Sequence, residues 1–484
     1  MTQGITVVGL GPAGPELLTR EAWQVLSEAG EVWLRTGRHP AAVGLPESLP
    51  VYTFDDLYEQ GDDFEAVYAA IVERLLALAE RPEGVLYAVP GDPGVGEATV
   101  RRLRQASRFP VRIVHGVSFI EPTLASLGLD ALDGLSLADA LDLAGGHHPP
   151  FPPDSPALIG QIYSNLVASD VKLTLMNQYP ADHPVTLVHA AGTPEQRLEP
   201  MALHEMDRSP DYGAQTALLV PPLAAPSALE SFQETVAHLR APEGCPWDRE
   251  QTPQSLRPHL LEEAFETLQA LDHEDVQALR EELGDLLLQI VLQAQIATEG
   301  GEFTMADVIA GINAKILRRH PHVFGDLKVG SVDQVLANWE ALKAAERAEN
   351  GEASGLLGGV PVGLPALAQA AEIQSRVARV GFDWPAIEGV RAKVREEMQE
   401  VEAARSRDEQ NAEVGDLLFA VVNYARWLKV DPEAALREAN TRFRRRFGEL
   451  EAAAEKQGRR IAEMGPAELD RLWEAAKGEG RGEG

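Results

Sequence analysis

At 484 residues the chain has room for about three domains of ordinary size, each able to bury its own core. A formal charge of -32, from 75 acidic against 43 basic residues, argues against a nucleic-acid partner while leaving room for local basic clusters that hold small phosphorylated ligands. The single cysteine, Cys245, excludes an internal disulfide and a multi-cysteine metal cage. The opening MTQGITVVGLG carries no targeting pattern and no apolar run reaches about 20 residues, so a cytoplasmic protein without a membrane partner is expected.

From the start to about residue 222, short β-branched runs (ITVVGLG, GVLYAVPG, VRIVHG, VTLVHAAG, TALLVPP) alternate with helical stretches such as FEAVYAAIVERLLALAE. That alternation predicts an α/β domain. Within it VVGLGPAG fits G-x-G-x-x-G through Gly9, Gly11 and Gly14, a dinucleotide pattern when it lies between a strand and a helix. The acidic residue such a site needs about 20 positions later is missing, because the next strand, EVWLRT, ends at Arg35 and Thr36. This weighs against NAD.

VPPLAAPSA (220–228) ends the alternation, and long helical patterns follow. A Gly- and Pro-rich break, NGEASGLLGGVPVGLP (350–365), splits them in two, and the tail GEGRGEG (478–484) is expected to be disordered. The expected domains are therefore 1–222, 229–350 and 366–477. Local chemistry marks helix starts: Pro258 as a first helical residue, a capping box of Thr304 with Asp307, and an N-cap at Asp431 before Pro432. The stretch 281–297 reads as a buried helix, yet it opens with Glu282 and Asp285 on one face.

That acidic pair recurs at Glu413 and Asp416. Upstream of each pair stands Glu-Glu-x-x-Glu, as Glu262, Glu263 and Glu266, then Glu396, Glu397 and Glu400. Downstream come NAKILRR, with Asn313, Lys315, Arg318 and Arg319, and NTRFRRR, with Asn440, Arg442, Arg445 and Arg446. GCPW (244–247) and GFDW (381–384) precede the two units. The same order twice marks an internal duplication of one helical module.

On a helix, Glu-Glu-x-x-Glu puts three carboxylates within about one turn, and a second, antiparallel helix would add Glu-x-x-Asp. Such a groove costs several kcal/mol per buried ion unless cations neutralise it. With oxygen donors and no Cys or His cluster, Mg2+ or Mn2+ is the fitting ion, and the Asn and basic residues of a third helix would face phosphates. Single features have plainer readings. One Glu-x-x-Asp is usually a solvated surface pair, RFRRRF could complement a helix C-terminus, Cys245 reads as a packed small residue, and HPHVF is a weak zinc signal.

The combination of Glu-Glu-x-x-Glu and Glu-x-x-Asp with GCPWD before it and RRHPHVF after it resembles the MazG-type nucleoside triphosphate pyrophosphohydrolases, all-α enzymes related to the dimeric dUTPases. The likeness spans about residues 229 to 477 and includes ANWEALKAAER and VGFDW. It implies Mg2+-dependent cleavage of a nucleoside triphosphate between its α and β phosphates, giving NMP and pyrophosphate, in a homodimer whose helices complete the acidic sites. By position it implies metal ligation by Glu262, Glu263, Glu266, Glu282 and Asp285, and by Glu396, Glu397, Glu400, Glu413 and Asp416. Glu263 and Glu397 would be catalytic, together with Lys393, which matches a family lysine before the acids of the main catalytic copy. The first copy has His259 there, and Arg442 replaces a usual lysine. Trp473 and Lys477 match a tail that packs near the nucleotide.

GLGPAGPELLT, YAVPGDPGVGEATV and QYPADHPVTLVHAAGTPEQ resemble the tetrapyrrole methylases over about residues 3 to 222. That likeness implies S-adenosylmethionine in a cleft between two α/β halves, with Gly91 and Asp92 of the PGDP loop as cofactor contacts. The expected whole is an N-terminal α/β methylase-like domain followed by two all-α MazG-like modules. Two other readings are a methyltransferase regulated by its helical half and a nucleotide sensor without turnover.

Overall fold

The computed structural model describes residues 4–60, 64–213, 215–349 and 355–479. Parts of the break at 350–365 and of the tail at 478–484 thus lie outside the described residues. The chain forms two compact units, residues 1–238 and 239–484.

The first unit holds two five-stranded sheets. The first consists of β1 (Ile5–Gly9), β2 (Val32–Leu34), β3 (Val51–Thr53), β4 (Val85–Val89) and β5 (Val111–Val114), in the order β3-β2-β4-β1-β5. All its pairings are parallel. Alternation sorts the central strands: Ile5, Val7, Val85, Tyr87 and Val89 enter one core cluster, and Val8, Leu86 and Ala88 enter another. Two buried faces explain why these strands read as continuous apolar runs. The second sheet takes β6 (Ser136–Asp139), β7 (Ala157–Gly160), β8 (Pro184–His189), β9 (Arg197–Ala202) and β10 (Thr216–Val220), in the order β6-β7-β10-β8-β9. Only β6 and β7 pair in parallel; the other pairings are antiparallel.

Three loops meet at the C-terminal ends of the first sheet. Gly11 and Gly91 exchange backbone hydrogen bonds of 3.2 and 2.7 Å. A Cβ on Gly9 would lie 2.5 Å from the Gly91 carbonyl and 2.6 Å from the Gly116 nitrogen, so only glycine lets these backbones approach. The glycines do not lead straight into a helix. A short turn, Pro15–Leu17, intervenes, and the next helix starts at Arg20 with Thr19 as N-cap. The helix N-terminus that would carry a dinucleotide pyrophosphate is therefore displaced from the motif.

Among its described residues the second unit forms helices joined by loops, with no strand. The helix Arg257–Asp272 packs on Val276–Glu299, and its repeat Ile387–Ala403 packs on Arg407–Trp427. Met305–Arg319 and Pro432–Lys456 are the matching third helices. The capping box at Thr304 and the N-cap at Asp431 form as expected. The helix carrying Pro258 begins one residue earlier, at Arg257, because proline is equally free of clash at the second position. A further capping box, Ser406 with Glu409, opens the second acidic helix.

The expectation of a buried helix over 281–297 needs correction. Val291, Leu292, Ala294 and Ala297 are buried, but Leu283, Leu287 and Ile290 are 50, 39 and 41% exposed. The second copy repeats this with Val414, Leu418, Phe419 and Val421 exposed. Among the described residues of the second unit, each module thus leaves one apolar face uncovered.

Candidate active site: two carboxylate clusters

In the first copy, Glu263 and Glu266 from one helix and Glu282 from the next offer carboxylate oxygens within 4.8 Å of one another. In the second copy the corresponding group is Glu397, Glu413 and Asp416, again within 4.8 Å. The clusters are not superimposable by sequence position: the first draws two ligands from its Glu-Glu-x-x-Glu helix, the second draws two from its Glu-x-x-Asp helix. Asp285 and Glu400 stand just outside their triads, and Glu262 and Glu396 are exposed on the flank.

The electrostatics differ too. Burial, followed by the Asp285, Glu266, Glu262 and Glu282 carboxylates, pushes the Glu263 carboxyl above its usual range. Glu282 is raised by burial and then by Glu266, Asp285 and Glu281. His259 offers little relief, since its Nδ1 lies 3.7 Å from Glu262. In the second copy Lys393 Nζ reaches Glu397 at 2.7 Å and Glu396 at 2.9 Å. Those hydrogen bonds, Glu397 first, raise the lysine above its usual range, so it stays charged. Glu397 is only 5% exposed, the most buried acid of either cluster. Glu400 is raised by burial and then by Glu397.

The basic residues are less uniform than their repeat suggests. Asn313 and Lys315 are exposed on Met305–Arg319, as is Asn440 on Pro432–Lys456. Arg318 and Arg319 are both paired to Glu346, a partner that sequence reasoning missed. Arg442 pairs with Glu438 of its own helix, and Arg445 donates to Glu449 at 3.2 Å. The Arg446 Nε is buried without an acceptor. Trp473 packs on Phe443 with ring centres 5.0 Å apart, and Lys477 pairs with Glu474 at 2.6 Å. Arg437 pairs with Asp272 at 3.1 Å, tying the second copy to the first.

In the first unit the Asp92 carboxylate is already spent. Oδ1 accepts from the Gly94 nitrogen at 2.7 Å, and Oδ2 meets His115 Nδ1 at 2.9 Å and accepts from the Gly116 nitrogen at 3.1 Å. Asp92 therefore shapes the loop, while Gly91 lies in the left-handed region at φ 63°, where a Cβ would stand 4.0 Å from the Ser118 Cα and the Val117 carbonyl oxygen. Gln161 and Ala190, non-glycine residues at φ 66° and 48°, follow β7 and β8, and such strain gathers at ligand clamps. Gln161 also donates to Asp139 at 2.9 Å.

Two family models match the chain: the MazG nucleotide pyrophosphohydrolase domain over residues 251–324, and the tetrapyrrole (corrin/porphyrin) methylases over residues 4–207. A nucleoside triphosphate pyrophosphohydrolase/pyrophosphatase MazG of Thermotoga maritima is 46% identical over 250 residues, which cover 51% of this chain and 96% of that one. The chain belongs to the MazG family, with a tetrapyrrole methylase domain preceding the MazG repeat. A nucleoside triphosphate pyrophosphohydrolase of Escherichia coli is 44% identical over 245 residues, covering 49% of this chain and 93% of its own. An uncharacterized protein of Bacillus subtilis, YabN, is 42% identical over 494 residues and covers 99% of both chains, so it shares the whole fusion. Among solved structures, a uroporphyrin-III-C-methyltransferase from Thermus thermophilus covers 46% of this chain and 93% of its own, at 22% identity and a TM-score of 0.35.

Proposed function

We propose that the helical unit is a divalent-cation-dependent nucleoside triphosphate pyrophosphohydrolase built from two modules, 229–350 and 366–477, of which the second is the principal catalyst. The observation that carries this reading is the pair of carboxylate triads, each drawn from two packed helices and each with its oxygens within 4.8 Å. The fit to Mg2+ or Mn2+ is good: opposite ligand oxygens on such an ion lie about 4.2 Å apart, and the donor set is all oxygen. The carboxyls of Glu263 and Glu282, raised by burial and by neighbouring acids, support a site that takes a cation. Glu263, Glu266 and Glu282 would hold the ion in one module, and Glu397, Glu413 and Asp416 in the other, with Asp285 and Glu400 adjacent.

A bound cation supplies Lewis-acid polarisation of the α-phosphate. Glu397 is buried against Lys393 and would take the proton of the attacking water. The water oxygen bonds to the α-phosphorus as the bond to the α,β-bridging oxygen breaks, leaving NMP and pyrophosphate. Lys393 neutralises Glu397 in the resting site and would turn to the substrate phosphates. Arg445 and Arg446 would hold those phosphates, and Trp473 would flank the nucleoside. The uncovered apolar faces of the modules favour a homodimer, and the reducing setting implied by one cysteine favours the cytoplasm.

A second reading concerns the first unit. The close approach of the Gly9, Gly91 and Gly116 backbones, together with strained Gln161 and Ala190, favours S-adenosylmethionine at the ends of its strands. One experiment separates the readings: incubation with each NTP and Mg2+, with product identification. Pyrophosphate with NMP supports the hydrolase, and binding without turnover supports a sensor. Calorimetry that finds no S-adenosylmethionine binding would remove the methyltransferase reading.

A further inference from the structure

The repeat extends one element beyond the basic helices. Trp339-Glu340-Ala341-Leu342-Lys343 in the first copy has the form W-E-x-x-K, and Trp473-Glu474-Ala475-Ala476-Lys477 repeats it in the second. Seven residues after the first tryptophan stands Glu346; seven after the second stands Gly480, which lies outside the described residues. A carboxylate is thus present in one copy and missing from the other at the same place in the repeat.

Glu346 meets both arginines of its module. Its Oε1 accepts from Arg318, at 2.8 Å from Nε and 2.6 Å from Nη2, while its Oε2 faces Arg319. The Glu346 side chain is 14% exposed and that of Arg319 is 17% exposed, while Arg318 is 57% exposed, so the cluster is closed on the Arg319 side and open to solvent at Arg318. The Trp339 ring underlies it, with Arg319 at 6.0 Å and Lys343 Nζ at 3.8 Å from the ring centre. Two guanidinium groups converging on two oxygens of one anion form the geometry by which arginine holds phosphate. Among the described residues the matched arginines of the second copy share no such carboxylate: Arg445 bonds Glu449 on its own helix, and the Arg446 Nε is buried without an acceptor.

The geometry points to Glu346 as an internal anion that occupies the phosphate seat of the first module, which a nucleotide's phosphate chain must displace in order to bind there. The inference rests on the reading of both modules as nucleotide sites. It makes the first module a latched site of weak affinity and gives its arginines, Lys343 and Trp339 a ligand class, the triphosphate of a nucleotide. The second module, whose arginines lack that anion, is the open one.

The test uses the full chain with Glu397→Gln and Glu413→Gln, which leaves the first module as the site to be titrated with each NTP and Mg2+. Adding Glu346→Gln should tighten binding by on the order of tenfold, the scale of losing one charge-assisted competitor. Arg318→Ala with Arg319→Ala should cancel that gain. Unchanged affinity in a folded Glu346→Gln protein overturns the latch. If that variant unfolds, Glu346→Asp keeps the charge but shortens its reach, and it must still tighten binding; no gain there also overturns the inference. Failure of the hydrolase reading looks different, because the unmodified protein would then release no pyrophosphate from any NTP.

Discussion

The two MazG copies share their helices but not their electrostatics. In the first, His259 sits 3.7 Å from Glu262, and Glu263 and Glu282 remain raised by burial and by their neighbours. In the second, Lys393 spans Glu396 and Glu397, three and four residues on along the same helix face, at 2.9 and 2.7 Å. Downstream the asymmetry reverses: the first copy neutralises its arginines with Glu346, while the second leaves Arg446 Nε without an acceptor. The first module thus leaves its acids without a lysine partner while its arginines pair with Glu346, and the second pairs its most buried acid with Lys393 while Arg446 Nε has no acceptor. The repeat places the charged groups at matching positions, and single differences next to them, His259 against Lys393 and Glu346 against Gly480, set which groups are paired.

The largest way to break this contrast is at the buried acid. Glu397→Gln should lower Mg2+-dependent pyrophosphate release by at least about 1000-fold, measured by steady-state assay, whereas Glu263→Gln should leave most of it. Unchanged release in a Glu263→Gln, Glu397→Gln double variant would remove both acids from the mechanism. Next in size, Lys393→His gives the second copy the first copy's residue and should cost about 10- to 100-fold in the same assay.

A smaller effect separates the copies by pH. Carboxyls raised in the folded state, such as Glu263 and Glu282, contribute stability that is complete below their ordinary value of 4.5 and is lost as pH rises through the raised one. A cation should restore what is lost, so the Mg2+-induced rise in Tm should be larger at about pH 7.5 than at about pH 5, where protons compete for the same oxygens. Glu263→Gln with Glu282→Gln should flatten that dependence; an equal Mg2+ effect at both pH values would contradict the cation-hungry first copy. The smallest expected change is structural: Thr304→Ala removes a capping box and should cost about 1 kcal/mol by denaturant unfolding, without altering Mg2+ binding.

The helical repeat was legible because its signals are local. Glu-Glu-x-x-Glu and Glu-x-x-Asp fix which side chains share a helix face, and helix pairing then brings Glu263 to Glu282 and Glu397 to Glu413. What spacing does not carry is the choice of triad. Glu266 joins the first cluster but Glu400 does not join the second, a matter of helix rotation and depth rather than of sequence position. The Glu346 latch was hidden for another reason, since it lies 27 residues from Arg319 on a separate helix. Only the repeated W-E-x-x-K offered a signal for it. The buried reading of 281–297 failed because an apolar stripe says that a face seeks a partner, not that its own chain supplies one. Likewise the PGDP loop was visible, but the use of the Asp92 carboxylate by His115 and Gly116 depends on a contact 23 residues away.

The most direct measurement compares two paired variants of the full chain, Glu263→Gln with Glu282→Gln and Glu397→Gln with Glu413→Gln, for pyrophosphate release from each NTP in the presence of Mg2+. The first pair should retain most of the activity and the second should lose it. Full activity in the second pair, with its fold intact, would contradict the placement of catalysis at the cluster beside Lys393.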